Sequence, residues 1–380
     1  MNPRVLILMR LPEAPVTGGE IYNFELRKHL KSRFIDVEHI SWQPRQRKGP
    51  VSFIINSLIQ NISLLKHWGE LKSGTIVVED VSQSSELFLF NSILMVLRRL
   101  TRKKIYLLTV VQQTYSPLMK DEIRRRLTSF EESIFINSSD GIVVNSEFTK
   151  RLVEGILRKD ADIVVAYPGL NVSGLKESSL RRPDRGPERK PEDDISQLLF
   201  VGYVTPRKGV DTLLKAVEIL VKEKGMDHLA LNIVGDNVRE RDLYQDLKDY
   251  SDKAGLGDKV TFRGRVEEKE LKDLYSASKI FVFPSLWEGF GMVLAEAASF
   301  GLPIVTTDAG AIPYLIKDGI NGLLIPPGDE KKLALAIEKL AKSAEMRAKF
   351  SEANRKLAAQ FDWDKSFSKV ADLVEAQGRI

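Results

Sequence analysis

The sequence predicts an α/β protein built from two doubly wound parallel-sheet domains, and three observations carry that prediction. The chain has 380 residues, of which 43% are hydrophobic. That is more than one ordinary domain of about 100–200 residues holds, and enough for two cores. Short apolar runs recur along it and alternate with stretches of helical length, the pattern of a parallel sheet covered by helices. Residues 176–194 break the alternation with Arg, Lys, Asp, Glu and Pro and almost nothing apolar, as a solvated loop near an interdomain connection would. The domains are therefore expected at 1–170 and 171–361.

The first domain opens with the strand-sized run Val5–Met9, which ends in Arg10 and Pro12 and is too short for a signal peptide or a spanning helix. Thr17-Gly18-Gly19-Glu20 then leads into an amphipathic run from Ile21 to Leu30. Paired glycines at a strand–helix junction form a plain turn, or let the backbone approach a ligand where the helix N-terminus favours an anion. No Gly-x-Gly-x-x-Gly follows this strand, which argues against a dinucleotide oxidoreductase. Pro50–Trp68 and Leu87–Leu100 have helical length, with polar residues that keep them below a spanning pattern. The second is followed by basic residues, so it suits either a buried helix or one lying in a bilayer interface. Further strands are expected at Thr75–Val78, Lys104–Val111, Gly141–Val144 and Ile163–Ala166.

The second domain starts at Leu198–Val201, followed by a loop from Gly202 to Gly209 that carries Arg207 and Lys208, and a helix from Val210. Two adjacent cations in such a loop suit a diphosphate whose leaving oxygen gains charge. Strands are expected at Leu229–Gly235 and Lys259–Arg265. Phe281-Val282-Phe283 is the next strand; it breaks at Pro284, passes Gly289 and Gly291, and enters a helix with packing positions at Leu294 and Ala298. Amides at that helix N-terminus attract phosphate. Glu288 at the mouth of the loop is either a helix cap or a ligand contact. With Glu296 about two turns along the helix, it would repel an anion and accept from the hydroxyls of a sugar or ribose. The constellation points to a sugar nucleotide.

Composition narrows the partners. The chain has no cysteine, which removes disulfides and thiol metal sites and fits a cytoplasmic protein. Its net charge of +5 sits in the first half: residues 1–168 hold 24 Lys and Arg against 18 Asp and Glu, and the remainder 33 against 34. Arg98-Arg99, Arg102-Lys103-Lys104 and Arg124-Arg125-Arg126 form either a solvated face or one that meets anionic lipid headgroups. No basic motif interleaved with aromatic residues accompanies them, so nucleic acid is not an expected partner.

Glu-Gly-Phe-Gly-Met-Val-Leu-Ala-Glu over 288–296 resembles the signature of the retaining GT-B glycosyltransferases of family four, glycosyl transferases group 1. Gly301–Val305, Gly310–Pro313 and Asp318–Pro327 resemble its continuation. The resemblance covers nearly the whole chain and is strongest from Leu199 to Gly328. It implies two Rossmann-like domains facing a central cleft, with a helix at about 362–380 crossing back onto the first. It also implies transfer of a sugar from a UDP- or GDP-sugar to a glycan or lipid-linked acceptor, with retention and without a metal ion or other cofactor. Association with the cytoplasmic face of a membrane goes with a lipid-linked acceptor. Non-catalytic partners, epimerases and phosphorylases on the same fold stay open.

Residue by residue, the resemblance gives Arg207 and Lys208 the leaving diphosphate, Glu288 the donor sugar and Glu296 the ribose. Gly18, Gly19, Gly202, Gly289, Phe290, Gly291, Met292 and Val293 would line the donor through their backbones, and Arg265 lies near the nucleotide base. Two departures stand out. Tyr203 replaces the arginine usual after the first glycine of its loop, so Arg207 and Lys208 must serve together. Val111-Gln112-Gln113-Thr114 occupies the place of a histidine that reaches the donor sugar, and a glutamine there can offer a hydrogen bond but no proton at neutral pH.

Overall fold

The computed structural model describes residues 3–9, 17–40, 71–81, 94, 96, 98, 104–114, 122–170, 197–235 and 241–378. Pro50–Trp68, residues 176–194 and Arg102-Lys103 lie outside them, as does most of Leu87–Leu100. The chain divides into two units, Met1–Gly169 with Asp362–Ile380, and Leu170–Phe361.

In the first unit the strands are β1 (Arg4–Leu8), β2 (Val37–Ile40), β3 (Thr75–Asp80), β4 (Tyr106–Val111), β5 (Gly141–Val144) and β6 (Asp162–Val165). They form one parallel sheet in the order β2-β1-β3-β4-β5-β6. Helices α1 (Gly18–Arg33), α2 (Glu122–Ser138) and α3 (Glu147–Ile156) are interleaved, and α11 (Trp363–Gly378) returns to this unit at the end of the chain.

Both faces of the sheet are apolar because both are covered. Val5, Ile7, Ile76 and Val78 point to the side of Tyr22, Leu26 and Leu30 of α1 and Phe367, Val370 and Val374 of α11. Leu6, Leu8 and Val77 point the other way, towards Phe135, Ile136 and Val153. Each large side chain so removed from water contributes about 1.5–3 kcal/mol. Tyr22 fastens α11 by edge contacts with Trp363 at 5.9 Å and Phe367 at 5.2 Å. Leu94 is buried in the second of these cores, which fits the buried-helix reading of its segment. Arg98 donates to Asp140 at 2.7 Å, and Arg125 and Arg126 are paired with Glu122, so these basic clusters are partly neutralised within the unit.

The second unit contains β7 (Gln197–Val201), α4 (Val210–Lys222), β8 (Ala230–Val234), α5 (Arg241–Lys253), β9 (Val260–Gly264), α6 (Glu268–Ala277) and β10 (Ile280–Phe283). It continues through α7 (Met292–Ser299), β11 (Ile304–Thr307), α8 (Ile312–Leu315), β12 (Gly322–Ile325), α9 (Glu330–Lys342) and α10 (Ala344–Ala358). All six strands are parallel in the order β12-β11-β10-β7-β8-β9. Counted from the start of the unit this is the dinucleotide-fold order 3-2-1-4-5-6, which reverses direction between β7 and β10. The loops leaving the carboxyl ends of those two strands therefore face a common crevice.

Candidate active site

The loop after β7 and the loop after β10 are joined where the strand order reverses. A single 3-10 turn, Pro206–Lys208, ends in Gly209 at φ 68°. A Cβ on Gly209 would stand 2.1 Å from the Pro284 carbonyl oxygen, so only glycine lets the loops approach this closely. Leu286 N–H donates to the Arg207 carbonyl at 2.7 Å across the join. On the far side of the second loop, Ala311 N–H donates to the Glu288 carbonyl at 2.8 Å.

Within that frame one carboxylate oxygen gathers three donors. Glu288 Oε1 accepts from Lys208 Nζ at 2.6 Å, Ser285 Oγ at 2.7 Å and Arg207 Nη1 at 2.9 Å. The Arg207 Nη1 group also donates to the Trp287 carbonyl, so both of its protons are used. Lys208 Nζ lies 4.8 Å from the centre of the Phe283 ring. Glu288 is 7% exposed. Burial alone would raise its carboxyl pKa, but Lys208, Arg207 and the Lys208 and Ser285 hydrogen bonds hold it below the usual carboxylate range. Burial pulls the Lys208 ammonium down, Glu288 supports it, and Arg207 draws it down again. The result is an ionised triad with one surplus positive charge.

Helix α7 begins directly after this loop, with Gly291 as its N-cap and no side-chain cap. The backbones of Gly289, Phe290, Gly291, Met292 and Val293 thus lead into and through this helix N-terminus, beside the triad in sequence. Gly202 immediately follows β7. Glu296 sits in the second turn of α7, half-buried, where its Oε2 accepts from Tyr275 Oη at 3.0 Å. Tyr275 is fully buried and stacks on Phe300 at 4.9 Å. Burial pushes the Glu296 carboxyl up, and the Tyr275 hydrogen bond draws it partly back. Arg265 is exposed just after the edge strand β9 and makes no hydrogen bond or ion pair among the described residues.

In the first unit the order of the strands also reverses, between β1 and β3. Gly18 and Gly19 are the first two residues of α1, not part of a loop ahead of it. Thr17 caps that helix in a capping box: Glu20 N–H donates to Thr17 Oγ1 at 3.2 Å, and Thr17 N–H donates to Glu20 Oε2 at 2.9 Å. The expectation of an anion here is weakened, because a carboxylate already sits on the helix end. Gln112, half-buried at the end of β4, donates through Nε2 to the Gly19 carbonyl at 3.2 Å. Two Asp-x-Asp triplets, Asp160-Ala161-Asp162 and Asp362-Trp363-Asp364, also fall in this unit. Among the described residues no group of three or more His, Asp or Glu side chains is arranged to hold a metal ion.

Residues 181–357 match the family described as "Glycosyl transferases group 1". Over that stretch the chain is similar to the group 1 glycosyltransferases. D-inositol 3-phosphate glycosyltransferase of Streptomyces avermitilis is 28% identical over 249 residues, which cover 64% of this chain and 53% of that one. The chain spans about half the length of the curated relatives it matches. Sucrose-phosphate synthase from Thermosynechococcus elongatus superposes with a TM-score of 0.75 at 19% identity, covering 98% of each chain. Anabaena HepE in complex with UDP and glucose does so at 0.69 and 18%, covering 98% of this chain and 100% of that one. At these identities the likeness speaks for the fold, and the two parallel-sheet units are those of the GT-B fold.

Sequence reasoning did not single out two side chains of the second unit that the structure places against its acids, Ser285 and Tyr275. Ser285 directly follows the strand-breaking Pro284, a readable position; Tyr275 precedes Glu296 by a helix and a strand and gives no local signal. The raised pKa of Glu296 has a testable consequence. A carboxyl raised on folding favours the protein below that pKa and penalises it once ionised, so stability is lost as pH rises through the folded value. Glu296→Gln is therefore expected to melt about 2 °C above the wild type at pH 8, with the gap closing towards acid pH. A Glu296→Gln protein that melts lower at pH 8 would contradict the burial penalty.

Proposed function

We propose that the protein transfers a glycosyl group from a nucleoside diphosphate sugar to an acceptor hydroxyl, with retention and without a metal ion. The observation that carries this reading is the convergence of Arg207 and Lys208 on Glu288 Oε1 where the sheet of the second unit reverses. With both protons of Arg207 Nη1 occupied, its Nη2 and Nε groups and the remaining protons of Lys208 are the donors for a diphosphate. The uncapped amides of α7 add partial positive charge. These groups are fixed before the reaction and strengthen their hold as the C1–O bond breaks and charge grows on the leaving phosphate.

Glu288 Oε2 accepts no hydrogen bond among the described residues, so it is the oxygen turned to a hydroxyl of the donor sugar. A carboxylate whose other oxygen serves three donors is a weak base and a poor nucleophile. That favours same-face attack over a glycosyl-enzyme: the acceptor oxygen bonds to C1 as the C1–O bond breaks, and its proton passes to the departing phosphate oxygen. Glu296, fixed by Tyr275, takes the ribose hydroxyls.

The HepE structure holds UDP and glucose, which supports a UDP-sugar as donor, with a GDP-sugar next. Relatives named for transfer to D-inositol 3-phosphate support a polyhydroxyl acceptor, here a glycan or lipid-linked one. The basic first half supports peripheral contact with an anionic membrane on its cytoplasmic face, and among the described residues no helix is long and apolar enough to cross a membrane.

A thermal-shift and turnover screen against UDP-, GDP- and ADP-sugars, with and without EDTA, tests the reading. One nucleotide class at 100 times its Kd should stabilise the protein by about 2.7 kcal/mol, roughly 5–10 °C, in either condition. Turnover should require an added acceptor, and the product should keep the donor's anomeric configuration by NMR. Absence of a shift with all three, or a shift that EDTA abolishes, would overturn it.

A further inference from the structure

Asp80 ends β3 at the point where the first sheet reverses; it is 0% exposed, and Asn23 of α1 beside it is 4% exposed. A carboxylate accepts hydrogen bonds and cannot donate them, so any amide that reaches it must turn its NH₂ group inward. Asn23 Nδ2 donates to Asp80 Oδ2, and Gln112 Nε2 donates to the same oxygen at 3.1 Å. Once Asn23 is so fixed, its carbonyl oxygen faces Gln112 and accepts from Nε2 at 3.0 Å. The Gly19 carbonyl takes Nε2 as well, at 3.2 Å. All three acceptors draw the same end of the Gln112 side chain inward.

The opposite end is left as the free edge. Gln112 Oε1 accepts no hydrogen bond among the described residues. It lies over the start of α1, where a Cβ on Gly19 would stand 3.0 Å from it. A carbonyl oxygen held in this way repels a phosphate oxygen and accepts from a hydroxyl. The Glu20 carboxylate on the same helix end reinforces that preference.

We propose that Asp80 is a positioning residue that fixes Gln112, directly and through Asn23, so that its Oε1 accepts a hydroxyl of the donor sugar or of the acceptor. The inference rests on the glycosyl-transfer reading and changes what the first unit is asked to recognise: a neutral polyhydroxyl, not the diphosphate. It also gives Gly19 a reason, since a side chain there would press on an amide that cannot swing away.

The test is exchange of polarity in the full-length protein. Gln112→Glu sets two carboxylates against each other and is expected to lower kcat/KM for transfer by about tenfold or more. Asp80→Asn combined with Gln112→Glu restores one amide against one carboxylate in reverse and should recover most of that loss, which a merely structural role would not do. Gln112→Met, of similar size and unable to accept, should show the same loss if the paired carboxylates prevent folding. Gly19→Ala, whose methyl would press on the fixed amide, should also lose activity.

Donor hydrolysis in water separates the two sources of the hydroxyl. It falls together with transfer if the donor sugar is read, and is spared if the acceptor is. An active wild type whose Gln112→Glu and Gln112→Met variants are unchanged, or a double variant no better than Gln112→Glu alone, would overturn the proposal. A wild type inactive on every nucleotide sugar would sink the glycosyl-transfer reading along with it.

Discussion

Lys208→Ala is expected to lower kcat by about 10²–10³, the usual loss when one fixed donor to a developing oxyanion is removed. The ammonium is 12% exposed, 2.6 Å from Glu288 Oε1, and backed by the Phe283 ring. Arg207, with Nη1 committed to Trp287 and Glu288, cannot take over its direction. Donor KM should change less than kcat, because charge on the diphosphate is greatest in the transition state. The pH profile provides a second check. Burial, with Arg207 beside it, pulls the Lys208 pKa below that of a free lysine, so the cation is lost as pH rises through that lowered value. The alkaline limb of kcat/KM should begin below the ordinary lysine range, and Lys208→Arg should move it upward at the cost of a lower plateau, since a guanidinium fits a point-charge site poorly. A Lys208→Ala enzyme with wild-type kcat, or a limb that stays in place in Lys208→Arg, would remove Lys208 from the chemistry.

How much of this was legible in the sequence depended on distance along the chain. Ile280–Phe283 is fully buried and reads as a buried strand from its own residues; Arg207, Lys208 and Glu288 read as loop residues beside glycines. That all three would meet at a single oxygen was not readable. It follows from β7 and β10 being neighbours in the sheet although two strands and three helices intervene along the chain, and periodicity carries no information about which strands pair. The same holds for Asn23, Asp80 and Gln112, brought together only because β3 lies between β1 and β4. The Gly18-Gly19 turn was a different kind of miss. Thr17 and Glu20 stand at capping-box spacing, a local signal that α1 begins at Gly18 and that its end is already satisfied. The glycines drew attention as a loop because they are poor helix formers, yet the first turn of a helix tolerates them well.

Glu288→Ala should produce the largest change in stability, and one that its ligand reverses. Removing the carboxylate leaves Arg207 and Lys208 facing each other with nothing between them, in a site where Lys208 is 12% and Arg207 34% exposed. Breaking a buried ion pair from one side costs about 3–5 kcal/mol, and the partial exposure of Arg207 places this case near 3 kcal/mol. For a unit the size of Leu170–Phe361 that is a fall of roughly 6–12 °C in Tm. Glu288→Gln should fall less, since its amide oxygen still accepts from one cation. Glu288 has a folded pKa below its unfolded one, so its contribution is present above the unfolded carboxylate pKa of about 4.3 and fades as pH falls through the folded value. The gap between wild type and Glu288→Gln should therefore narrow in acid. A diphosphate supplies the missing negative charge and no longer competes with Glu288 for the two cations. UDP, or whichever nucleotide the wild type selects, should raise the Tm of Glu288→Ala by more than it raises that of the wild type, while turnover is lost. Greater affinity without catalysis would mean that Glu288 holds the cations in the empty site and gives them up, in part, to the donor. A Glu288→Ala protein that loses nucleotide binding altogether would mean instead that the carboxylate is needed to build the loop, and that its place beside Arg207 and Lys208 is architectural.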